Sequence, residues 1–272
     1  MKNGMIVVLV LILAAPVAFA DRAIQGFYFD QNVGASWDPL GAQAVTQLFY
    51  RIPLSQSDNI LWSSAKVDFG VVNNFSPSYD LAGVFVSIQP IAVFNLVLEA
   101  QAAGYFHQLG FGFYTLSGYD AGFDNASLAQ LTPIDTTGYV LSAAPTLQVA
   151  FGPVALRDTF SLTYYNANGG TGFFYERIGN VALAGSDVEL LNQAYALATV
   201  YPGLLVGLND YYLVVTASSY VSHRLAAMAV YTNQLSPKVS LYSILLLGTF
   251  LADRYFQYTI YVGGEVGVTV QL

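Results

Sequence analysis

Long segments of this chain alternate apolar and polar side chains with a period of two residues. The pattern is clearest in residues 60–71, 91–105 and 139–151. A two-residue period places one apolar face and one polar face on a β-strand. It therefore predicts strands that meet an apolar medium on one side only. In residues 91–105 one face carries Ala92, Phe94, Leu96, Leu98, Ala100 and Ala102, and the other includes Asn95, Glu99, Gln101 and Tyr105.

The chain has too few charges for a typical soluble domain. Only 10 % of its 272 residues are charged and 55 % are hydrophobic, whereas soluble domains have about 25 % charged residues. The formal net charge of −8 argues against nucleic acid as a partner, because phosphate binding needs a basic surface. The absence of cysteine excludes disulfides, thiol catalysis and cysteine metal sites.

The first twenty residues have the layout of a cleaved secretory signal peptide. Lys2 supplies the positive start, residues 5–15 form a short apolar run, and Ala18 to Ala20 fit a small-x-small cleavage site. We therefore expect residues 1–20 to be a signal peptide. Residues 21–272 contain no linker-like stretch, and we expect them to form a single barrel domain.

Two later segments, 83–104 and 239–252, are apolar enough to be considered as membrane helices. The first is interrupted by Gln89-Pro90 and contains Glu99, and the second has only 14 residues. A spanning helix needs about 20 apolar residues. An exported β-sandwich is the other alternative, but it would need Lys and Glu on its outer faces, and these residues are scarce. A closed membrane barrel fits better, because it pairs every backbone polar group internally.

The predicted fold is an all-β, antiparallel, up-and-down transmembrane β-barrel of about twelve strands, with ten to fourteen as the range. Residues 109–116 and 172–184 are the segments that could add two strands. Alternation is poor in 24–31, 190–201 and 223–234. The twelve predicted strands are 24–31, 43–55, 60–73, 79–89, 91–106, 137–151, 154–167, 190–201, 204–217, 223–234, 238–252 and 257–272.

Pro145 falls in the middle of a predicted strand. A closed barrel has no free edge at which the missing N–H would be tolerated. We therefore expect a β-bulge at this residue.

The last strand resembles the C-terminal strand of Gram-negative outer-membrane β-barrel proteins. In that class the final strand closes the barrel, is apolar at every second position, and is recognised by the barrel-assembly machinery. The resemblance implies a bacterial outer-membrane location, with the lipid bilayer and that machinery as partners. Leu272 departs from the class, which usually ends in an aromatic residue. The matching residues are Tyr258, Ile260, Val262, Val266, Val268, Val270 and Leu272.

Six charged side chains fall on the polar faces of the predicted strands. Three are cations and three are carboxylates, so we expect internal ion pairs that line the pore. Such charges select solutes when a lumen is open and hold the barrel together when it is filled. These residues are Arg51, Lys66, Asp68, Glu99, Arg157 and Glu265.

An aromatic and glycine-rich segment, 104–125, forms the second candidate site. One hypothesis is a loop that enters or covers the barrel mouth and narrows the pore. The alternative, which we favour from sequence, is a strand extension whose rings form an interfacial girdle. The aromatic residues are Tyr105, Phe106, Phe111, Phe113, Tyr114, Tyr119 and Phe123.

Catalytic and metal sites find little support in the sequence. Ser222 and His223 are neighbours in a strand-like segment, so their side chains point to opposite faces, whereas a nucleophile and its base must be within hydrogen-bond reach. The acidic residues of 119–135 do not have the spacing of a calcium loop. We expect no enzymatic activity, no cofactor and no metal ion.

The sequence favours a narrow passive channel, porin-like, for small solutes. A barrel of about twelve strands lies between small filled barrels and wide porins. A non-conducting structural barrel, or a subunit of an envelope complex, is the main alternative, and a barrel hydrolase is the third.

Overall fold

The computed structural model describes residues 22–107, 112–167 and 172–272. Twelve antiparallel strands form a closed barrel, in which the first strand pairs with both the second and the last. The barrel strands are β1 (Gly26–Trp37), β2 (Gly41–Pro53), β3 (Lys66–Ser76), β4 (Tyr79–Ile91), β5 (Phe94–Tyr105), β7 (Thr136–Phe151), β8 (Val154–Ala167), β11 (Ser186–Tyr201), β12 (Leu204–Val215), β13 (Tyr220–Ser236), β14 (Val239–Ala252) and β15 (Ile260–Gln271).

The predicted barrel of twelve strands is confirmed, and each predicted strand overlaps one observed strand. The largest differences are at two strand ends. β1 continues to Trp37, beyond the predicted end at residue 31. β3 begins at Lys66 rather than at residue 60, because residues 54–65 form a loop whose Leu61 carbonyl accepts a hydrogen bond from the backbone N–H of Ala92, 2.8 Å away.

The two ends of the barrel differ. The short-turn end holds the start of β1 and the end of β15, where the backbone N–H of Leu272 donates to the carbonyl of Phe27 at 2.9 Å. It includes the short connections 92–93, 152–153, 202–203 and 237–238 and the longer loop 54–65. The long-loop end holds the connections that follow β5, β8 and β14. In outer-membrane barrels short turns face the periplasm and long loops face outward.

The outer surface of the barrel is apolar. Leu98, Leu147 and Leu245 are 42 %, 60 % and 58 % exposed, on three separate strands. On β5, Glu99 and Gln101 alternate with the outward-facing Leu98 and point inward, as the sequence predicted. Large apolar side chains on the outside of a closed sheet match a protein whose outer solvent is lipid.

Pro145 interrupts one ladder without shifting its register. It lies opposite Leu96 of β5. On the β8 side, the pairs Ala143–Leu162 and Thr146–Thr159 flank a gap and belong to the same register. The predicted β-bulge at Pro145 is therefore wrong: the ladder loses pairs at residues 144 and 145, but no extra residue is inserted.

Several lumen-facing glycines allow neighbouring strands to approach closely. A Cβ at any of them would overlap a backbone oxygen of the adjacent strand. Gly207 illustrates this, because its Cβ would meet the carbonyl of Ala196 on β11. Such glycines permit the sharp bends that close a small barrel. The residues are Gly70, Gly83, Gly138, Gly207 and Gly248.

Three short strands form a separate sheet, the plug sheet, at the long-loop end. They are β6 (Tyr114–Leu116), β9 (Phe173–Glu176) and β10 (Val181–Ala184), in the order β10-β9-β6. Residues 109–116 and 172–184 were the two candidates for additional barrel strands. Their described residues do contain strands, but these pair with one another and not with the barrel wall.

The only helix among the described residues is the four-residue α1 (Asn125–Leu128), in the segment between β6 and β7. In this part of the chain no helix has the length and apolar character needed to cross a membrane.

Candidate pore and its lining

An ion-pair cluster occupies the lumen near the short-turn end. Arg51 and Asp68 are cross-strand neighbours of β2 and β3. The guanidinium binds the carboxylate through two hydrogen bonds, Nε to Oδ1 and Nη2 to Oδ2, each 2.8 Å long. Lys66 Nζ lies 3.7 Å from Asp68 Oδ2. This two-bond geometry is the strong form of an Arg–carboxylate pair.

An aromatic cluster packs beside these charges. The rings of Tyr28 and Phe49 stack with centroids 5.4 Å apart, and Phe85 lies 5.8 Å from Phe49. Arg51 lies over Tyr28, with its guanidinium carbon 4.4 Å from the ring centroid. Gly70 separates Phe49 from Phe85 along the ladder and leaves room for both rings. Side chains of β1 to β4 therefore occupy one side of this part of the lumen.

The other three predicted lumen charges lie apart from that cluster. Glu265 accepts a hydrogen bond from the Tyr242 hydroxyl at 2.7 Å. Arg157 faces the lumen between Gln148 and Tyr195 in the ladder. Glu99 is the cross-strand neighbour of Phe85. Glu99, Arg157 and Glu265 are described residues and form no salt bridge with the Arg51–Asp68–Lys66 group, so the six charges do not form one network.

The described residues 112–125 of the aromatic segment enter the barrel mouth. Phe113, Tyr114 and Phe123 are buried. Phe113 lies 4.9 Å from Phe174 of β9, and Phe123 lies 5.4 Å from Tyr175 (centroid distances). These rings therefore form the core of the plug sheet instead of an interfacial girdle.

The remaining predicted mouth residues lie around that core. Tyr105 packs against Phe113 at 5.1 Å between centroids. The Tyr119 hydroxyl donates to Asp187 Oδ2 at 2.7 Å. Phe106 is half-buried beside Phe75 of the outer face, 6.2 Å between centroids, the position expected of a girdle residue. Phe111 lies outside the described residues.

The plug sheet makes a dry contact with the barrel wall. Val181 and Leu183 of β10 and Leu213 and Val215 of β12 are all 0 % exposed and belong to one buried cluster. Leu213 and Val215 face the lumen. At the long-loop end the lumen therefore contains a core like that of a soluble domain.

Two carboxylates are buried where the plug sheet meets the wall. Glu176 of β9 accepts hydrogen bonds from the backbone N–H groups of Ile178 (2.9 Å) and Gly179 (2.5 Å). Burial raises the pKa of Glu176 to about 7. Glu189 of β11 lies against Gly179, and its Oε2 has no hydrogen-bond partner. The β9–β10 turn is thus held between two acidic groups.

A cavity of about 610 Å³ lies between the plug sheet and the wall. It extends from the β1–β2 and β3–β4 turns at the long-loop end to Tyr195 and Met228 inside the barrel. Tyrosines, amides and hydroxyl groups line much of it, together with the charges Arg177, Arg224 and Glu265. It is a volume that a small solute could occupy within the barrel.

Sequence reasoning missed most of this lining, including Tyr211 and Arg224. Both lie in segments with apolar residues on both faces, so alternation did not reveal which side they occupy. Arg224 and Met228 are four residues apart, so they lie on the same face of the strand, and this was the available signal. It did not identify the lumen face, because Ala226 on that face and Ala227 on the other are equally apolar.

The candidate catalytic residues are separated as the strand geometry required. The Ser222 hydroxyl donates to Asp253 Oδ2 at 2.7 Å inside the barrel. His223 Nε2 lies 2.8 Å from Asp210 Oδ1 on the outer side. A serine and a histidine on opposite faces of one strand cannot exchange a proton directly.

Each acidic residue of the 119–135 segment contacts a different partner, so they do not share one site. Asp120 pairs with Arg254 at 2.8 Å, Asp124 accepts from the Ser127 hydroxyl at 2.6 Å, and Asp135 lies 2.6 Å from His107 Nδ1. His107 lowers the pKa of Asp135. In the described part of the chain no group of three or more acidic, His or Cys side chains is placed to hold a metal ion.

The closed antiparallel barrel, its apolar outer surface and its charged, tyrosine-rich interior define a transmembrane β-barrel of the outer-membrane type. The chain is similar in fold to the NanC porin, with 8 % identity over 90 % of this chain and 100 % of that chain and a TM-score of 0.45. The KdgM porin shows 10 % identity over 90 % and 99 %, with a TM-score of 0.42.

A third similar structure is the β domain of the Bordetella autotransporter BrkA, with 11 % identity over 91 % of this chain and 99 % of that chain and a TM-score of 0.49. No protein-family model matches the chain. No curated protein matches it either.

Proposed function

We propose that this protein is a narrow passive channel for small solutes in a bacterial outer membrane. The observation that carries the proposal is the cavity of about 610 Å³ that lies beside the plug sheet and continues into the barrel. Its walls combine charged groups with tyrosines and amides, which suits hydrated or polar solutes. In this proposal the protein has no catalytic role.

The plug sheet would set the width of the route. It packs against residues of β4, β5, β7, β8, β12, β13 and β14, while the cavity is lined by residues of β1 to β4 and β11 to β15, on the side away from β5, β7 and β8. A solute would therefore pass along one side of the lumen. Passage would be diffusive, with the width and the charges of that side as the filter.

Planar-bilayer recording tests the proposal. Purified, refolded protein should give discrete, small conductance steps in 1 M KCl, a concentration chosen only to make small currents measurable. A matched preparation of heat-denatured protein should give none. If the folded protein gives no discrete openings at any salt concentration or voltage, the channel proposal is wrong.

The second candidate function is a non-conducting barrel, either a structural anchor or a subunit of an envelope complex. Two filled regions favour it: the Tyr28–Phe49–Phe85 cluster and the dry contact of Leu213 with the plug sheet. Silent protein in the bilayer experiment, with an intact barrel by heat-modifiable gel migration, would support this candidate.

A further inference from the structure

Arg224 lies on the lumen side of β13 inside an aromatic enclosure. Its guanidinium carbon is 3.8 Å from the centroid of the Tyr261 ring and 4.4 Å from that of Tyr211. Phe250 completes the enclosure at 5.9 Å. The side chain is only 9 % exposed. Ring faces stabilise a cation but leave most of its N–H donors without a hydrogen-bond acceptor.

Arg224 is a buried cation without an anionic partner. Arg51 and Arg254 each lie 2.8 Å from a carboxylate. In the described part of the chain no carboxylate forms an ion pair with Arg224, and its Nε has no hydrogen-bond partner. A buried charge without a partner is costly.

Two carboxylates in this part of the lumen already have other donors. Asp253 accepts hydrogen bonds from the Tyr220 and Ser222 hydroxyls at 3.0 and 2.7 Å. Glu265 accepts from Tyr242 at 2.7 Å. The protein therefore leaves the positive charge of Arg224 available to a group that comes from outside.

The cavity gives that group access. Arg224 is one of its lining residues, and further along β13 and β14 the same cavity is lined by the inward-facing Met228, Ile244 and Leu246. Apolar side chains are unexpected in a water-filled lumen. Together with the guanidinium they give the cavity wall one cationic group and an apolar stretch.

We propose that Arg224 forms, with Tyr211 and Tyr261, a binding site for a small carboxylate with an apolar body. A carboxylate matches the planar donor fork of a guanidinium, and the body would rest on Met228, Ile244 and Leu246. The assignment deepens the channel proposal and rests on it for its role in transport, but the binding itself does not require conductance.

Direct binding provides the first test. Wild-type protein in detergent would be titrated calorimetrically with benzoate, and with benzamide as the neutral molecule of the same shape. We expect benzoate to bind and benzamide to bind at least about tenfold more weakly, because it cannot form a charge-assisted pair. In Arg224→Gln the affinity for benzoate should fall at least about tenfold as well.

Two further variants keep the binding test interpretable. Arg224→Lys retains the charge without the planar fork and should bind benzoate with intermediate affinity. Arg22→Gln removes an exposed positive charge at the short-turn end and should bind like wild type. Heat-modifiable migration on gels checks that each barrel is folded. Equal affinity for benzoate and benzamide, or unchanged benzoate binding in Arg224→Gln, would overturn the site.

Bilayer recording separates this site from the channel proposal. Benzoate should reduce the chloride current of the wild type in a concentration-dependent manner, and the reduction should be lost in Arg224→Gln. Channel openings whose current benzoate does not reduce would contradict the site while leaving the channel proposal intact. Silent protein that still binds benzoate through Arg224 would contradict the channel while leaving the site intact.

Discussion

The two ends of the lumen are filled in different ways. Near the short-turn end side chains of the barrel wall itself occupy the interior, with the Arg51–Asp68 pair and the Tyr28–Phe49–Phe85 cluster. Near the long-loop end the filling comes from loops that fold back as the plug sheet. The first region has polar and aromatic side chains facing inward, whereas the second has a dry apolar core.

This difference shows that inward-facing residues of a barrel need not be polar. Leu213 and Val215 point into the lumen, yet they are fully buried because the plug sheet covers them. The polar alternation of a barrel strand is thus a property of strands that face water, and it disappears where another part of the chain replaces the water.

Removing the plug sheet should produce the largest effect. Replacement of residues 173–184 by a short Gly-Ser linker takes away β9 and β10, so the long-loop end loses its filling. We expect the barrel to stay closed and its single-channel conductance to rise several-fold, because current follows the open cross-section.

The control for this change is Thr115→Ala, at an exposed position of β6, which should leave conductance unchanged. If the linker variant conducts like the wild type, the plug sheet does not limit the route.

Breaking the ion pair of the short-turn end should have the next largest effect. Asp68→Asn leaves Arg51 and Lys66 without their shared anion in a buried place, and we expect a loss of about 3–5 kcal/mol in the free energy of unfolding. Urea unfolding in lipid vesicles measures it.

The matched control is Asp58→Asn, since Asp58 pairs with Arg22 at the surface with a side chain 94 % exposed; we expect less than about 1 kcal/mol there. Equal losses at the two sites would show that the lumen around Asp68 is wet.

A pair of leucine substitutions compares the plug contact with the lipid surface. Leu213 is 0 % exposed inside the barrel and Leu245 is 58 % exposed outside it. Leu213→Ala should leave a cavity against the plug sheet and cost about 2–5 kcal/mol.

Leu245→Ala meets adaptable lipid chains and should cost clearly less in the same vesicle unfolding assay. A larger loss at Leu245 than at Leu213 would contradict the dry contact described above.

The pH dependence of the plug contact should be the smallest effect. Burial raises the pKa of Glu176 from 4.5 to about 7, so the folded state binds the proton more tightly than the unfolded state does. Stabilisation by this proton is complete below the unfolded pKa and is lost as pH rises through about 7. The plug contact should therefore be less stable at pH 8 than at pH 5, and the channel open probability should increase over that range.

Glu176→Gln should flatten this pH profile, since the amide does not titrate, and Asp58→Asn should leave it unchanged. A profile that stays the same in Glu176→Gln would assign the pH response to another group.

The barrel wall could be predicted largely from sequence, for a reason visible in β5, β7 and β8. Their residues meet lipid on one side and polar groups on the other over most of their length. The polarity of each side chain therefore indicates which side of the sheet it occupies. In contrast, alternation was weak in β11 and β13. Met228 of β13 and Leu191 of β11 face inward and are apolar, because they border the cavity or the plug sheet.

The site was less predictable than the wall. Arg51, Lys66 and Asp68 could be placed on the lumen side from their strands, but their contact depends on the register between β2 and β3. Arg224 carried no recognisable pattern, because its significance comes from Tyr211 and Tyr261 on two other strands. The destination of Phe113 and Phe123 was equally hidden, since the same aromatic residues would suit a girdle or a plug.

The amino-acid sequence by itself determined the class of fold, the number of barrel strands and the side of the sheet that faces lipid. These follow from local physics: a two-residue period, scarce charge and an apolar final strand. Only the tertiary structure decided what fills the lumen, because that depends on where two distant loops meet and on which residues of separate strands become neighbours. The long-range contacts between the plug sheet and the wall replace water with side chains, and no local pattern records that replacement.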